Sequence, residues 1–215
     1  MDLNLEIPLI KSDSRSYKRF LDIVGAAIGI LICLPVSILI GLLIKLESPG
    51  PVIYRQERIG KGGKRFVMYK FRTMCEASTN LDRDALSDNP DLSANFERFQ
   101  KLVDDPRLTQ VGKLLRRSSL DEIPQFWNTL KGDMSLIGPR PFLVEQIDIY
   151  GDAYCDYIQV CPGMTGLWQV SGRNRLSFQE RAQLDVYYVR NQSLWLDLII
   201  LIKTIVVVLA QDGAY

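Results

Sequence analysis

The chain of 215 residues contains no histidine, and this absence restricts the chemistry open to it. General bases built on histidine, Ser-His-Asp triads and histidine-ligated zinc sites are all excluded. Any acid, base, nucleophile or metal ligand is therefore expected to be a carboxylate. Because carboxylate oxygens favour a hard cation, the metal that this composition predicts is Mg²⁺.

Two further features are scarce: an excess of charge of one sign, and closely paired cysteines. The formal net charge is +1 at pH 7, so bulk charge does not indicate a nucleic acid partner. The four cysteines show no Cys-x-x-Cys spacing, and one of them, Cys33, lies in an apolar stretch. This pattern indicates free thiols in a reducing, cytoplasmic setting.

What the chain does contain is one long uncharged segment. Residues Ile23–Ile44 carry no charge over 22 residues, and Pro35 lies near the middle. About 20 apolar residues cross a hydrocarbon core of roughly 30 Å, so this segment is long enough to enter a membrane. No Ala-x-Ala-like cleavage site follows it, which argues against a secretory signal peptide.

The charges around this segment do not fix its orientation. Basic residues normally stay in the cytoplasm, and here they flank both sides: Lys11, Arg15, Lys18 and Arg19 before, and Lys45, Arg55 and Arg58 after. Pro35 removes a backbone donor and predicts a kink, and Ser37 could bond a carbonyl that the kink frees. Two interpretations stay open: a re-entrant helix broken at Pro35 that dips into one leaflet, or a kinked spanning helix.

The rest of the chain predicts a compact α/β domain that is mostly helical. Residues 1–16 lack periodicity and are expected to be flexible, which leaves 17–47 as the membrane helix and 48–215 as the domain. Val52–Ile59 and Arg65–Thr73 predict two strands around a glycine-rich turn. From residue 51 to 74, seven basic residues face one acid. This excess favours a surface that meets anionic lipid or a phosphate-rich substrate over a solvated hairpin.

Two other segments are less distinctive. Leu194–Leu209 is apolar but interrupted by Asp197 and Lys203, which predicts a core helix or one in the membrane interface, with core packing favoured. Asp82 and Asp84 have the D-x-D form of some metal-binding glycosyltransferases. Since no strand precedes them, a solvated loop is the preferred interpretation.

An acidic pair marks the region where chemistry is expected. Ser119-x-x-Glu122 matches a capping box, with Asp121 and Glu122 in the first turn of a helix that runs to about residue 130. There the helix dipole would keep both carboxylates ionised and could also receive a phosphate or a metal phosphate. An ionised Asp121 could attack phosphorus and form an acyl phosphate. On spacing alone, simple helix capping is the preferred explanation of the pair.

Nearby arginines shift this interpretation towards function. Arg116 and Arg117 precede the pair and could bind phosphate oxygens. Downstream, Arg140 lies between two prolines, which restrict the backbone beneath a guanidinium group suited to bidentate phosphate binding. A structural ion pair would explain Arg140 too, but its closeness to a carboxylate pair favours a site.

Six motifs in order give the chain a specific resemblance. They are Lys70-Phe-Arg-Thr-Met74, Ser119-Leu-Asp-Glu-Ile-Pro-Gln125, Gly132-Asp-Met-Ser135, Gly138-Pro-Arg-Pro141, Pro162-Gly-Met-Thr-Gly166 and Leu184-Asp-Val-Tyr-Tyr188. Together they resemble the monotopic phosphoglycosyl transferases of the bacterial sugar transferase family, over about residues 17 to 215. No single motif would be specific enough.

The resemblance implies a mechanism. Asp121 would attack the β-phosphorus of a UDP-sugar, UMP would leave, and polyprenyl (undecaprenyl) phosphate would then take the phosphosugar from Asp121. Glu122 would assist as metal or proton partner, and Mg²⁺ would be required, with both carboxylates as ligands. The membrane helix would be re-entrant and broken at Pro35. The catalytic domain would lie on the cytoplasmic face of the bacterial inner membrane.

The resemblance also suggests roles for other residues and a place in metabolism. Arg116 and Arg140 match family arginines near phosphate, while Lys70 and Asp185 match positions linked to the active site. The sequence of residues 166–174 and 212–215 most resembles that of exopolysaccharide-initiating hexose-1-phosphate transferases of galactose or glucose type, with galactose favoured. Membrane lipid is a further expected partner, nucleic acid is not, and a homodimer stays open.

Two other functions remain compatible with single motifs. A membrane-anchored scaffold of a polysaccharide assembly complex would need no catalysis, since capping and surface charge explain each motif separately. A D-x-D glycosyltransferase that uses Asp82 and Asp84 would release UDP rather than UMP. The identity of the released nucleotide, UMP or UDP, therefore distinguishes the phosphoglycosyl transferase from the D-x-D glycosyltransferase.

Overall fold

The structure, a computed structural model, describes residues 13–75 and 107–210. It begins with α1, Asp13–Glu47, a single helix that contains Pro35 and starts earlier than the predicted residue 17. Within the described chain, its part from residue 16 onward is the one helix long and apolar enough to cross a membrane. Ser37 donates to the carbonyl of Cys33 at 2.8 Å, not to that of Leu31, which Pro35 leaves without a helical donor.

The domain after α1 is mostly helical, as predicted, with two small sheets. Its elements are β1 Ile53–Ile59, β2 Arg65–Phe71, α2 Gln110–Ser118, α3 Gln125–Lys131, β3 Ser135–Ile137, α4 Ile147–Tyr150, α5 Ala153–Tyr157, β4 Gly163–Thr165, α6 Phe178–Arg190 and α7 Leu194–Ala210. Strands β1 and β2 form an antiparallel hairpin, and β3 and β4 form a parallel pair. Both predicted strands are confirmed, although β2 ends at Phe71 rather than Thr73.

The beginning of α1 is fixed to the domain by polar side chains. Arg19 donates to the carbonyls of Thr129 and Leu130, at 2.6 and 2.7 Å, and so caps the end of α3. One turn later, the buried carboxylate of Asp22 accepts from the backbone N–H of Leu136 in β3 at 2.8 Å. Helix α1 therefore holds the two elements that flank the loop between α3 and β3.

The end of α1 contacts the same domain at a different place. Ile40 and Ile44 are buried in a cluster with Phe71 of β2 and Leu115 of α2. Glu47 accepts hydrogen bonds from the first two backbone N–H groups of α2, at 2.6 and 3.1 Å. Between these anchored ends, the middle of α1 exposes large apolar side chains, among them Leu31, Ile32, Val36 and Ile38.

The outer edge of the hairpin is held by one buried amide. Asn128 of α3 is fully buried; its Oδ1 accepts from the backbone N–H of Tyr69 at 3.0 Å, and its Nδ2 donates to the carbonyl of Val67 at 2.7 Å. The amide thus completes the hydrogen bonding of β2 on the side where, among the described residues, no further strand pairs with it. It also fixes the backbone next to Lys70.

We expect Asn128→Ala to lower the free energy of unfolding by about 2 to 4 kcal/mol, because two backbone groups in β2 lose their buried partner. Denaturant unfolding of the detergent-solubilised protein measures the change. Asn191→Ala is the matched control, since Asn191 is exposed and its side chain donates to the carbonyl of Tyr187, one turn earlier in α6, at 2.8 Å. Equal stability of the two variants would contradict the role given to Asn128.

The main aromatic cluster of the domain lies beside the loop after β3. Phe142 stacks on Tyr150 with ring centroids 4.2 Å apart and contacts Tyr157 at 4.4 Å. Phe178 of α6 completes the cluster against the edge of Tyr150. Because Phe142 follows the Gly138–Pro141 segment directly, this packing anchors the segment that carries Arg140.

The prediction of a core helix at the C-terminal end is wrong for most of α7. Only Asp197 and Ile200 of this helix are buried. Asp197 accepts a hydrogen bond from Tyr188 at 2.7 Å and pairs with Lys18 of α1 at 2.6 Å. Large apolar side chains on the remaining faces are exposed: Leu194, Trp195, Leu198, Leu201, Ile202, Ile205, Val206 and Leu209. This distribution favours the membrane-interface alternative.

Candidate active site

Asp121 and Glu122 lie on a single 3₁₀ turn, Leu120–Glu122, between α2 and α3. The capping box predicted for Ser119 is wrong. Ser119 ends α2 with a left-handed backbone (φ 59°), and its side chain caps neither neighbouring element. A residue in that conformation cannot also adopt the extended backbone of an N-cap. Because α3 begins only at Gln125, the dyad precedes this helix and does not lie in its first turn. The dipole of α3 therefore does not account for the charge state of the two carboxylates.

Two cations from distant parts of the chain meet this acidic pair. Lys70, near the end of β2, donates to Glu122 Oε1 at 2.8 Å and lies 3.6 Å from Asp121 Oδ2. Arg140, from the loop after β3, donates to the same Glu122 oxygen at 2.6 Å. The four largely buried side chains form one ion cluster, in which Glu122 holds both cations.

The two carboxylates respond to this cluster in opposite ways. Burial raises the pKa of Asp121, and the negative charge of Glu122 raises it further against the opposing charge of Lys70. Burial would raise the pKa of Glu122 as well, but the ion pairs with Arg140 and Lys70 outweigh it and hold that pKa well below its usual value. Glu122 is thus a fixed anion, while Asp121 is a carboxylate whose charge is less well stabilised.

The backbone beneath Arg140 is held on both sides. The carbonyl of Pro139 accepts from the N–H of Gly163 at 2.7 Å, and the carbonyl of Pro141 accepts from Arg58 at 3.2 Å. A Cβ on Gly163 would lie 2.1 Å from the backbone nitrogen of Gly138, so the close approach of β4 to this segment requires glycine. These contacts support the predicted rigid placement of the guanidinium group.

Arg116 lies in the last turn of α2, close enough to Asp121 for its charge to lower the pKa of that carboxyl. Its Nε donates to the hydroxyl of Thr73 at 3.1 Å. One turn earlier, Gly112 packs directly on the backbone of Thr73, where a Cβ would lie 2.0 Å from the carbonyl oxygen. The motif that contains Lys70 therefore also positions Arg116.

Asp185 has a different environment from the other predicted site residues. It is 1% exposed, and one carboxylate oxygen accepts from the hydroxyl of Tyr150 at 2.5 Å. Burial raises the pKa of Asp185 to about 8, against the smaller opposing effects of Tyr150 and Arg140. The structure thus places Asp185 among the aromatic residues near Arg140, inside the domain rather than on an accessible surface.

The residues of the dyad fit a magnesium ion only with further ligands from substrate and water. Within residues 13–75 and 107–210, no group of three or more Cys, Asp or Glu side chains is assembled for a metal. Mg²⁺, however, is commonly bound by one or two carboxylates together with water and substrate phosphates. Both cations contact Oε1 of Glu122, so Asp121 and the Oε2 atom of Glu122 are the oxygens that could hold it.

The alternative pair, Asp82 and Asp84, lies outside the described residues, as do the loop from 76 to 105 and the ends 1–12 and 211–215. Sequence reasoning also missed the contacts of Arg19 and Asp22 with the domain. The signal for them was present, because Lys18, Arg19 and Asp22 are charged residues one helical turn apart at the edge of the apolar segment. The acid Asp197 within an apolar stretch was a second signal of this kind.

Comparisons with known proteins agree with the six motifs. The chain is 44% identical over its whole length to the undecaprenyl-phosphate galactose phosphotransferase of Salmonella typhimurium, of which it covers 45%. It is 43% identical, again over its whole length, to the UDP-galactose-lipid carrier transferase of Erwinia amylovora, with the same 45% covered. It is 41% identical over 198 residues to the exopolysaccharide production protein ExoY of Rhizobium meliloti, covering 92% of this chain and 88% of that protein.

The chain therefore spans less than half the length of the first two relatives and nearly all of the third. The bacterial sugar transferase family matches residues 13–211, which include α1, the dyad, Arg140 and α7. By the extent of that match and the identity to ExoY, the chain belongs to the bacterial sugar transferase family.

Proposed function

We propose that the protein transfers a hexose-1-phosphate from a UDP-sugar to polyprenyl phosphate, through a phosphosugar bound to Asp121, with release of UMP. The observation that carries this proposal is the buried carboxylate of Asp121 within an ion cluster that leaves its charge poorly stabilised. The names of the Salmonella and Erwinia relatives support a lipid carrier as acceptor and galactose as the sugar. The transfer would be the first membrane step in the synthesis of an exopolysaccharide or another glycoconjugate.

In the first half of the reaction, an oxygen of Asp121 attacks the β-phosphorus of the UDP-sugar. The bond between that phosphorus and the bridging oxygen breaks, and UMP leaves with the electron pair. Burial favours this attack because it destabilises the negative charge of ionised Asp121, and the new bond to phosphorus disperses that charge. Lys70 and Arg140 balance the negative charge that gathers around the phosphoryl group.

In the second half, an oxygen of the lipid phosphate attacks the same phosphorus. The bond to Asp121 breaks, and the electron pair returns to the carboxylate. The product is a polyprenyl diphosphate sugar. A covalent intermediate lets a water-soluble donor and a lipid acceptor use the same group in turn.

We assign Mg²⁺ to Asp121 and Glu122, together with substrate oxygens. When bound, it would offset the negative charge of the diphosphate and of the leaving UMP. Glu122 stays ionised in this role because Arg140 and Lys70 hold its pKa low. Its anionic form is also what keeps the two cations beside Asp121.

For the membrane, we propose that α1 is re-entrant and that its two ends lie on the cytoplasmic face of the bacterial inner membrane. Both ends contact one domain, through Asp22 at the beginning and Ile44 at the end, while the apolar middle of the helix is exposed. Basic residues flank both ends, which suits a return to the cytoplasm. Pro35 is the residue at which we expect the helix to bend.

Cysteine labelling tests this topology. In a variant without native cysteines, Tyr17→Cys and Lys61→Cys are expected to react with a membrane-impermeant thiol reagent only in inverted vesicles, since both positions are exposed. Lys45→Cys provides a third position close to the end of α1. Labelling of positions 17 and 61 from opposite sides would overturn the re-entrant arrangement.

A panel of donors tests the reaction itself. Purified protein is supplied with Mg²⁺, polyprenyl phosphate and one of UDP-galactose, UDP-glucose or UDP-N-acetylgalactosamine, and the nucleotide product is identified. We expect UMP, released fastest from UDP-galactose. UDP as product, or no nucleotide from any donor, would contradict the proposed reaction. A faster reaction with another sugar would overturn only the choice of galactose.

A further inference from the structure

A pocket lies beside the dyad on the side of α7. It is open to solvent, and its polar wall includes Ser119, Glu122 and Arg173. Glu122 is therefore shared between the ion cluster and this pocket. A ligand seated here lies next to the residue that follows Asp121 in the chain.

The backbone of this polar wall is held in an unusual conformation. Among the described residues, Ser119 (φ 59°) and Arg173 (φ 50°) are the two non-glycine positions with a left-handed backbone. Both line the pocket, and Arg173 Nη2 is 3.5 Å from the hydroxyl of Ser119. Such conformations persist where the surrounding structure enforces them, and they cluster at ligand sites. The polar wall thus presents a hydroxyl and a guanidinium group together.

The apolar part of the lining belongs partly to α7. Val207 and Val208 line the pocket with Met164, whereas their neighbours Val206 and Leu209 are 60% and 78% exposed on the outside of the helix. Helix α7 therefore has one apolar face towards the pocket and another towards the surroundings. It connects a chamber beside the dyad with the surface that we assign to the membrane interface.

From these walls we infer that the pocket receives the acceptor lipid, with its phosphate against Ser119 and Arg173 and its first isoprene units against Val207 and Val208. The inference rests on the proposed function, because it places the acceptor of that reaction. A phosphomonoester is anionic and accepts hydrogen bonds, which matches the guanidinium and hydroxyl groups. The isoprene chain is apolar, which matches the valines, and α7 lets it continue into the bilayer.

A nucleotide sugar fits these walls less well. Its uridine and hexose carry many hydroxyl and amide groups. Of the other polar residues in the lining, Thr165 and Thr204 hydrogen-bond to each other at 2.7 Å, and Gln169 donates to the carbonyl of Met164 at 3.2 Å. Hydroxyl and amide groups of the sugar nucleotide that were buried against the valines would be left without partners. The lipid phosphate at Arg173 would lie in the pocket that Glu122 also lines, beside the dyad, and its oxygen would attack the phosphosugar on Asp121. The bond from phosphorus to Asp121 then breaks as described above, and no other reactant is needed.

Filling the apolar wall tests this assignment. With Val208→Phe or Val207→Phe, we expect the burst of UMP from UDP-sugar without lipid to match that of the wild type. The KM for polyprenyl phosphate should rise about tenfold or more, because the larger ring excludes the chain. Val206→Phe is the matched control: it makes the same change one residue away, outside the pocket, and should leave both measurements unchanged.

The polar wall provides a second test that does not depend on added bulk. Arg173→Gln should raise the KM for the lipid while the UMP burst persists, and Arg173→Lys should restore part of the loss, since it keeps a cation. An unchanged lipid KM in the valine and Arg173 variants would overturn the inference. So would a slower burst with a higher KM for the UDP-sugar, which would assign the pocket to the donor. Absence of a burst in the wild type would instead refute the proposed function.

Discussion

The Asp121→Asn variant is expected to release UMP from a UDP-sugar at least about 1000-fold more slowly than the wild type, because the amide oxygen is a far weaker nucleophile than a carboxylate. The intact protein should likewise fail to gain the mass of one hexose phosphate when it is incubated with donor alone. Single-turnover nucleotide analysis and intact-protein mass spectrometry measure the two effects. They report on the bond to Asp121 directly, independently of the lipid.

The same substitution should leave the fold intact. Burial raises the pKa of Asp121, so the folded protein pays for keeping this group ionised above that pKa. An amide of the same shape removes this cost, and we expect Asp121→Asn to unfold at the same temperature as the wild type or higher. A gain of stability with a loss of activity is typical of residues kept for function.

Asp156→Asn is the matched control for this experiment. Asp156 is also an ion-paired carboxylate, 2.9 Å from Arg190, but it lies on α5 and has no contact with the dyad. Its variant should release UMP at the wild-type rate. If Asp121→Asn did so as well, the covalent mechanism would be wrong, and the dyad would act only through structure or charge.

Features that depend on neighbouring residues could be predicted from the sequence, whereas features that depend on contacts between distant segments could not. The strands β1 and β2 follow from the local sequence. The acidic pair and the prolines around Arg140 led to Asp121 and Arg140, and the family resemblance led to Lys70. The structure brings these three residues together. Their proximity could not be predicted from their spacing in the sequence, because it depends on how β2 and the loop after β3 pack against the turn after α2.

Two wrong predictions share one physical cause. The spacing from Ser119 to Glu122 suits a capping box, and only the packing of Gly112 against Thr73 and the end of α2 at Ser118 decide against it. The hydrophobicity of Leu194–Leu209 likewise does not distinguish a core from a lipid environment. In the first case the deciding contact is with a residue far away in the sequence, and in the second it is how little of the helix the rest of the domain covers.

The anchoring of α1 gives the fold a direct connection to the site. Arg19 caps α3 and Asp22 holds β3, and these two elements flank the path from the dyad to Arg140. Lys18 reaches Asp197, so α1 is also fixed to the helix that lines the pocket. With α1 in the membrane as we propose, its depth would set the position of the dyad and of the pocket together.

The Lys70→Met variant is expected to show the second large effect, a loss of activity with a shifted pH profile. The charge of Lys70 is the main effect that lowers the pKa of Asp121 against the effect of burial. Without it, that pKa rises further. Because only ionised Asp121 attacks phosphorus, the acid limb of the UMP burst rate should move to higher pH.

The direction of this shift shows whether Lys70 controls the ionisation of Asp121 or only contributes packing to the site. Lys70→Arg keeps the charge and should keep the acid limb near that of the wild type, even if its maximal rate falls. Lys131→Met is the control, since Lys131 pairs at 2.9 Å with Asp133 on the exposed end of α3, and its profile should be unchanged. An acid limb that stays in place in Lys70→Met would mean that Lys70 does not govern the charge of Asp121. Its contact with Glu122 would then be its main contribution to the site.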